Sequence, residues 1–221
     1  MLHLPRWFSL LLIACCVAAP SAHAASELSQ ALAAAPDPAR GEQLYRTCAA
    51  CHGEEGGGVA DGTVPAIGGM PARLVMRQLV NFRREQRMDV RMEHFADARH
   101  LGSPQAIADV AGYIAGLRRS TPAGIGDGAD LQAGARAFLR SCQGCHGALG
   151  RASGDGTMPG LAGQHAAYLE RQLRDAAAGR RPSMNATHRG LVRAFTESEL
   201  RGVADYLSRM SPGSPQGTNT P

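Results

Sequence analysis

No lysine occurs in the 221 residues; all 23 basic side chains are arginines. Contacts with acidic partners must therefore be made by guanidinium groups, which favour two-pronged binding of carboxylates. The formal net charge is only +4, too mild to argue for nucleic acid as a partner. Aromatic residues make up 5% of the chain, with a single Trp, which is little flat apolar bulk for a core of this size. An apolar segment long enough to stay in a bilayer is missing too. The run Trp7–Ala19 is too short for a permanent span and follows a start carrying one positive charge. With Ala22-His23-Ala24 as a small-x-small cleavage site, residues 1–24 read as a signal peptide. The mature chain then begins at Ala25, and the expected location is periplasmic. A rival lies at Leu12–Cys15, which resembles a lipoprotein box and would leave Cys15 lipidated on a membrane; the apolar run before it is very short for that role.

Removing the signal also removes Cys15 and Cys16. The four cysteines left form Cys48-Ala-Ala-Cys51-His52 and Cys142-Gln-Gly-Cys145-His146. C-x-x-C-H is the attachment pattern of a c-type haem, with Cys48, Cys51, Cys142 and Cys145 as thioether carriers and His52 and His146 as proximal iron ligands. A thioredoxin-type pair would not call for a His after the second Cys, and no βαβ pattern surrounds either motif. A zinc site could not easily use a His immediately after its Cys neighbour in one tetrahedron. Two haems c would also supply the flat apolar bodies that the side chains lack.

The chain repeats itself. The offset between the motifs is 142 − 48 = 94, and it persists through Gly154–Gln164 on Ala60–Met70 and Arg171–Leu173 on Arg77–Leu79. Further on, Val203–Leu207 matches Val110–Ile114 at an offset of 93. Residues 25–119 and 131–210 are thus two copies of one domain, residues 120–130 are a Gly/Pro-rich linker, and residues 211–221 are a tail with nothing to bury. Each copy reads as helical. A helix precedes each haem motif, with Leu44 and Tyr45, then Phe138 and Leu139, on its haem side. Middle helices are expected over 72–84 and 165–177. The last helices start at Ser103-Pro104 and at the capping box Thr196–Glu199, with Ile107, Val110, Ala111, Ile114 and Leu200, Val203, Ala204, Leu207 as buried faces. No stretch alternates as a strand.

This order of helix, C-x-x-C-H, Gly/Pro loop, middle helix, ligand loop and final helix resembles a class I cytochrome c domain. Two in tandem, with Pro159–Leu173 as a specific stretch, resemble the diheme cytochrome c4 group over 37–210. The resemblance implies an all-α fold, each domain wrapped around one covalent haem c. It also implies that the carbonyls of Pro65 and Pro159 hold the Nδ1–H of the proximal histidines.

The group normally closes each iron with a Met from the ligand loop, and here the pattern departs. In the 94-residue register Met92 lies on Ala186 and Met184 on Val90, whereas His94 lies on His188, each 42 residues after its haem-motif His (94 − 52 and 188 − 146). His94 and His188 are therefore the expected distal ligands, with Met92 and Met184 as the alternative if the loops differ in length. Imidazole suits iron. His100 and His165 have no repeated counterpart and read as surface or packing residues. Met70 and Met158 read as packing on porphyrin, and the mixed charges of 83–91 as a solvated helix end. Arg87 and Arg181, kept in both copies, are expected against haem propionates.

With both axial positions filled, the expected function is single-electron transfer between redox proteins, soluble or membrane-bound, rather than catalysis. The alternative is a haem enzyme of diheme peroxidase or sulfur-compound dehydrogenase type, or its dedicated redox subunit, which needs an open iron face; gas sensing is a weaker third reading. Charge divides unevenly: 11 Arg against 11 acids in 25–119, and 11 against 8 in 120–221, so a basic docking face is expected on the second domain.

Overall fold

The computed structural model describes residues 21–151 and 157–212. Among them every regular element is an α-helix. The expected signal peptide up to Pro20 and the tail beyond Pro212 lie outside the described residues. No described helix is long and apolar enough to cross a membrane.

The first domain holds α1 (Ser21–Ala33), α2 (Pro38–His52), α3 (Ala72–Arg83), α4 (Val90–Ala96) and α5 (Pro104–Gly116). The second holds α6 (Leu131–Ser141), α7 (Gln143–His146), α8 (Ala166–Ala177), α9 (Ala186–Arg193) and α10 (Glu197–Ser208). The haem-motif helix of each copy crosses the last helix: α2 on α5 and α6 on α10. Glycine permits both crossings. A Cβ on Gly41 would stand 2.3 Å from the Asp109 carbonyl oxygen, and one on Gly134 would stand 1.8 Å from the Gly202 carbonyl carbon.

The capping chemistry acts as the sequence suggests. Ser103 accepts from Ala106 N with Pro104 at the first helical position, and Thr196 and Glu199 close a reciprocal capping box. Ile107, Val110, Ala111 and Ile114 are buried in α5, as are Leu200, Val203, Ala204 and Leu207 in α10. In the helix before each motif Tyr45 and Phe138 are almost inaccessible and Leu44 is half-buried, as expected, but Leu139, expected on the same face as Phe138, is exposed. The Tyr45 hydroxyl donates to the Gly53 carbonyl at 2.7 Å, so its one polar atom is satisfied.

Three features differ from the sequence reading. Helix α1 adds Leu28, Ala31 and Leu32 to the first core, and Glu27 ion-pairs with both Arg83 and Arg84. The ligand loops are not loops throughout: each contains a short helix, α4 or α9, with an Asx N-cap. The linker is strapped down. Its Gly126 and Gly128 amides donate to the two carboxylate oxygens of Asp205 at 3.0 and 2.8 Å, and the Ser120 amide donates to Glu55 at 3.0 Å.

Candidate haem sites

Each C-x-x-C-H motif ends a helix, so its His projects from the last turn into the domain. His52 and His146 are buried, and in each the Nδ1 lies 3.0 Å from a proline carbonyl, Pro65 or Pro159. A carbonyl can only accept, so Nδ1 carries the proton and Nε2 is the free lone pair. Burial outweighs these hydrogen bonds and lowers both imidazole pKa values, favouring the neutral, ligating form. Cys48 and Cys142 are half-buried, and Cys51 and Cys145 are exposed. Burial pushes the Cys48 and Cys142 thiols up to about 11.

Across from His146 stands His188. Their ring centroids are 6.2 Å apart and their planes 78° apart. Two imidazoles bound on opposite sides of one metal, each by a bond of about 2 Å, place their centroids roughly 6 Å apart. His188 Nδ1 is buried without a hydrogen-bond partner, as is Arg181 Nε. Buried polar atoms are seldom left unpaired, and these two face a site that a haem would complete. Burial first, then His146 and Arg181, lowers the His188 pKa and keeps the ring neutral. The donor set fits a covalent haem.

The first domain places its residues differently. His94 is exposed, and its ring packs on His100 at 4.6 Å and on Phe95 at 5.1 Å between centroids. No ring contact joins His94 to His52 among the described residues, so the structure does not bring this expected pair together. The ring nitrogens of His94 and His100 and a carboxylate oxygen of Asp97 instead lie within 4.8 Å of one another. Met92 is half-buried, and the charges of Asp89 and Arg91, at the start of α4, act on His52. Met184 packs against the cluster of Ala176, Val192 and Leu200.

Arg87 and Arg181 converge where the domains meet. Arg87 donates to Gln78 at 2.7 Å, to Gln172 at 2.9 Å and to the Tyr168 hydroxyl, while Arg181 reaches Gln78 at 3.5 Å. Gln78 and Gln172 are repeat mates, so the contact has approximate two-fold character. Arg77 and Arg171, also mates, donate across it to Thr157 O at 3.1 Å and Gly62 O at 2.9 Å. Burial holds the Arg181 guanidinium down at about 10, still charged at neutral pH.

Sequence reasoning missed His165 as an interface residue. It is buried, accepts from the Gly124 amide through Nδ1 at 2.9 Å and donates from Nε2 to the Gly57 carbonyl at 2.9 Å. One neutral tautomer thus pins the linker and both domains. Its repeat mate, Pro71, can do neither, and that asymmetry was the available signal.

The cytochrome c family pattern matches residues 38–118 and again 131–211. Cytochrome c4 of Pseudomonas aeruginosa is 27% identical over 182 residues, covering 79% of this chain and 89% of that protein. A thiosulfate dehydrogenase electron acceptor of Stutzerimonas stutzeri is 31% identical over 170 residues, covering 74% and 78%. Reduced recombinant cytochrome c4 from Pseudomonas stutzeri superposes with a TM-score of 0.70 at 26% identity, covering 80% of this chain and all of that one. Two C-x-x-C-H motifs in two such domains mean two covalent haems c. The chain belongs to the cytochrome c family, with two of its domains in tandem and a likeness to the cytochromes c4.

Proposed function

We propose that this protein is an exported electron carrier, passing single electrons between redox proteins in the periplasm through its two haems. The observation that carries this reading is the opposition of His146 and His188 at 6.2 Å, which would leave no room for a substrate at an iron held between them. The haem supplies the redox change; the protein supplies binding, orientation and electrostatics. Cys48, Cys51, Cys142 and Cys145 hold the two groups covalently. His52 and His146 present Nε2 because Pro65 and Pro159 fix Nδ1–H. Arg87 and Arg181, gathered between the domains, would neutralise propionates, with Gln78 and Gln172 beside them.

The relatives support a partner class. Proteins named as thiosulfate dehydrogenase electron acceptors match at 31% identity, and the TsdBA thiosulfate dehydrogenase structure from Marichromatium purpuratum superposes with a TM-score of 0.69, covering 79% of this chain and 40% of that one. This favours a redox enzyme acting on small anions as the electron donor, with the present chain as its acceptor. The excess of arginine over acids in the second domain suits docking to an acidic face there.

Carbon monoxide binding and peroxide turnover by the purified holoprotein test the reading. Both irons should stay six-coordinate and neither reaction should be rapid; fast, tight carbon monoxide binding at rest would refute it. Mass spectrometry should find two haem additions on a chain that begins at Ala25, and a lipid on Cys15 would move the protein to a membrane surface.

A further inference from the structure

We infer that the two haems are closed by unlike side chains, the Met92 thioether in the first domain and the His188 imidazole in the second, so that the first haem is the more easily reduced. The inference rests on the two-haem carrier reading and adds an order of potentials to it.

The ligand helices give a register that the sequence offset obscured. Asp89 caps α4, its side chain accepting from Arg91 N and Met92 N; Asn185 caps α9, its side chain accepting from His188 N. Counted from these caps, Met92 and His188 are each the third residue of their helix. The cap-to-cap offset is 185 − 89 = 96, not 94, because two more residues separate α8 from its cap than separate α3 from its own.

Burial supports the same register. Ala96 is the buried residue of α4 and Val192 of α9, and 192 − 96 is again 96. In the uncorrected register Ala96 would fall on Gly190, which is exposed. Under the helix register His94 also falls on Gly190, which has no side chain to ligate. That matches where His94 is found, exposed and packed on His100. Met184 precedes the Asn185 cap of α9, outside the helix, and packs against the cluster of Ala176, Val192 and Leu200. Met92 is left as the residue standing where His188 stands.

Thioether sulfur opposite His raises a haem potential, because a soft donor favours ferrous iron, and a second imidazole does not. An electron arriving on the second domain therefore runs downhill to the first, and the reverse step is uphill. The two domains divide the work: the more basic second domain receives, and the near-neutral first domain delivers.

Low-temperature EPR and near-infrared magnetic circular dichroism of the oxidised holoprotein read both ligand sets without any substitution. One haem should show the weak sulfur-to-iron charge-transfer band and the other a bis-imidazole signature. Met92→Leu should abolish the sulfur band and lower the first haem's potential, leaving the second unchanged. His188→Met should add a second sulfur band and bring the two potentials closer. His94→Ala should change neither spectrum. Bis-imidazole signatures at both haems, or loss of the sulfur band in Met184→Leu rather than Met92→Leu, would overturn the inference while leaving the carrier reading intact. A five-coordinate haem would overturn both.

Discussion

Gln164 grips the backbone of Ala66 from both sides: its side-chain oxygen accepts from Ala66 N at 3.0 Å, and its amide nitrogen donates to Ala66 O at 2.7 Å. Ala66 follows Pro65, whose carbonyl orients His52. A side chain of the second domain thus fixes the residue next to the proximal support of the first. The grip is one-sided, because the repeat mate of Gln164 is Met70.

Gln164→Ala should therefore act on the first haem although the residue belongs to the second domain. Loss of the two bonds should cost about 1–3 kcal/mol, near the usual worth of such a pair. A spectroelectrochemical titration should show the first haem's potential moving more than the second's. An equal shift of both, or movement confined to the second, would count against this coupling.

Replacing His165 by Ala leaves the Gly57 carbonyl and the Gly124 amide unpaired inside the domain junction. Each buried orphan costs roughly 1–3 kcal/mol. Calorimetry should then resolve two thermal transitions where the wild type shows one, and small-angle scattering should report a larger radius. A single unshifted transition would show that the junction does not depend on this imidazole.

Much of this architecture could be read from the sequence, and the reasons are local. The faces of α5 and α10 follow helical periodicity and begin at caps whose chemistry is strong, so their buried residues were predictable one by one. Helix α1 was hidden because its first residues overlap the expected signal peptide. Helices α4 and α9 are 7 and 8 residues long, too short for periodicity to reveal them. Their caps were visible all the same: Asp89 and Asn185 are both N-capping residue types, spaced 96 apart. Carrying the 94-residue offset through a segment of unequal length paired His94 with His188, whereas the folded chain aligns Met92 with His188.

Acid should loosen the second domain through Asp205. Burial alone would raise this carboxyl, but Arg209 and the Gly128 and Gly126 amides outweigh it and hold the pKa below the ordinary value. A lowered folded-state pKa stabilises above the unfolded value of about 4, and that stability is lost as pH falls toward the folded value. Asp205→Asn should cost about 1–3 kcal/mol at neutral pH. Urea midpoints measured from pH 6 down to 3 should fall less steeply in the variant than in the wild type. Parallel curves would exclude Asp205 as a source of the acid sensitivity.

Arg181→Gln removes a positive charge that lies close to His188. A nearby cation favours the iron state of lower positive charge, so the second haem's potential should drop, and the first should move less. Arg181→Lys should restore most of the shift. A rise, or equal movement of both haems, would be inconsistent with this placement.

Arg83 carries the influence of the chain's beginning furthest. It binds Glu27 in α1, donates to the Ala96 carbonyl at 2.7 Å at the end of α4, and also reaches the Leu101 carbonyl. Glu27 would be only the third residue of a chain starting at Ala25. Trimming of those few residues after export would therefore do more than fray an end. It would release the anchor of the helix that carries Met92, so proteolytic wear at the N-terminus would register as a change in redox behaviour well before the domain unfolds.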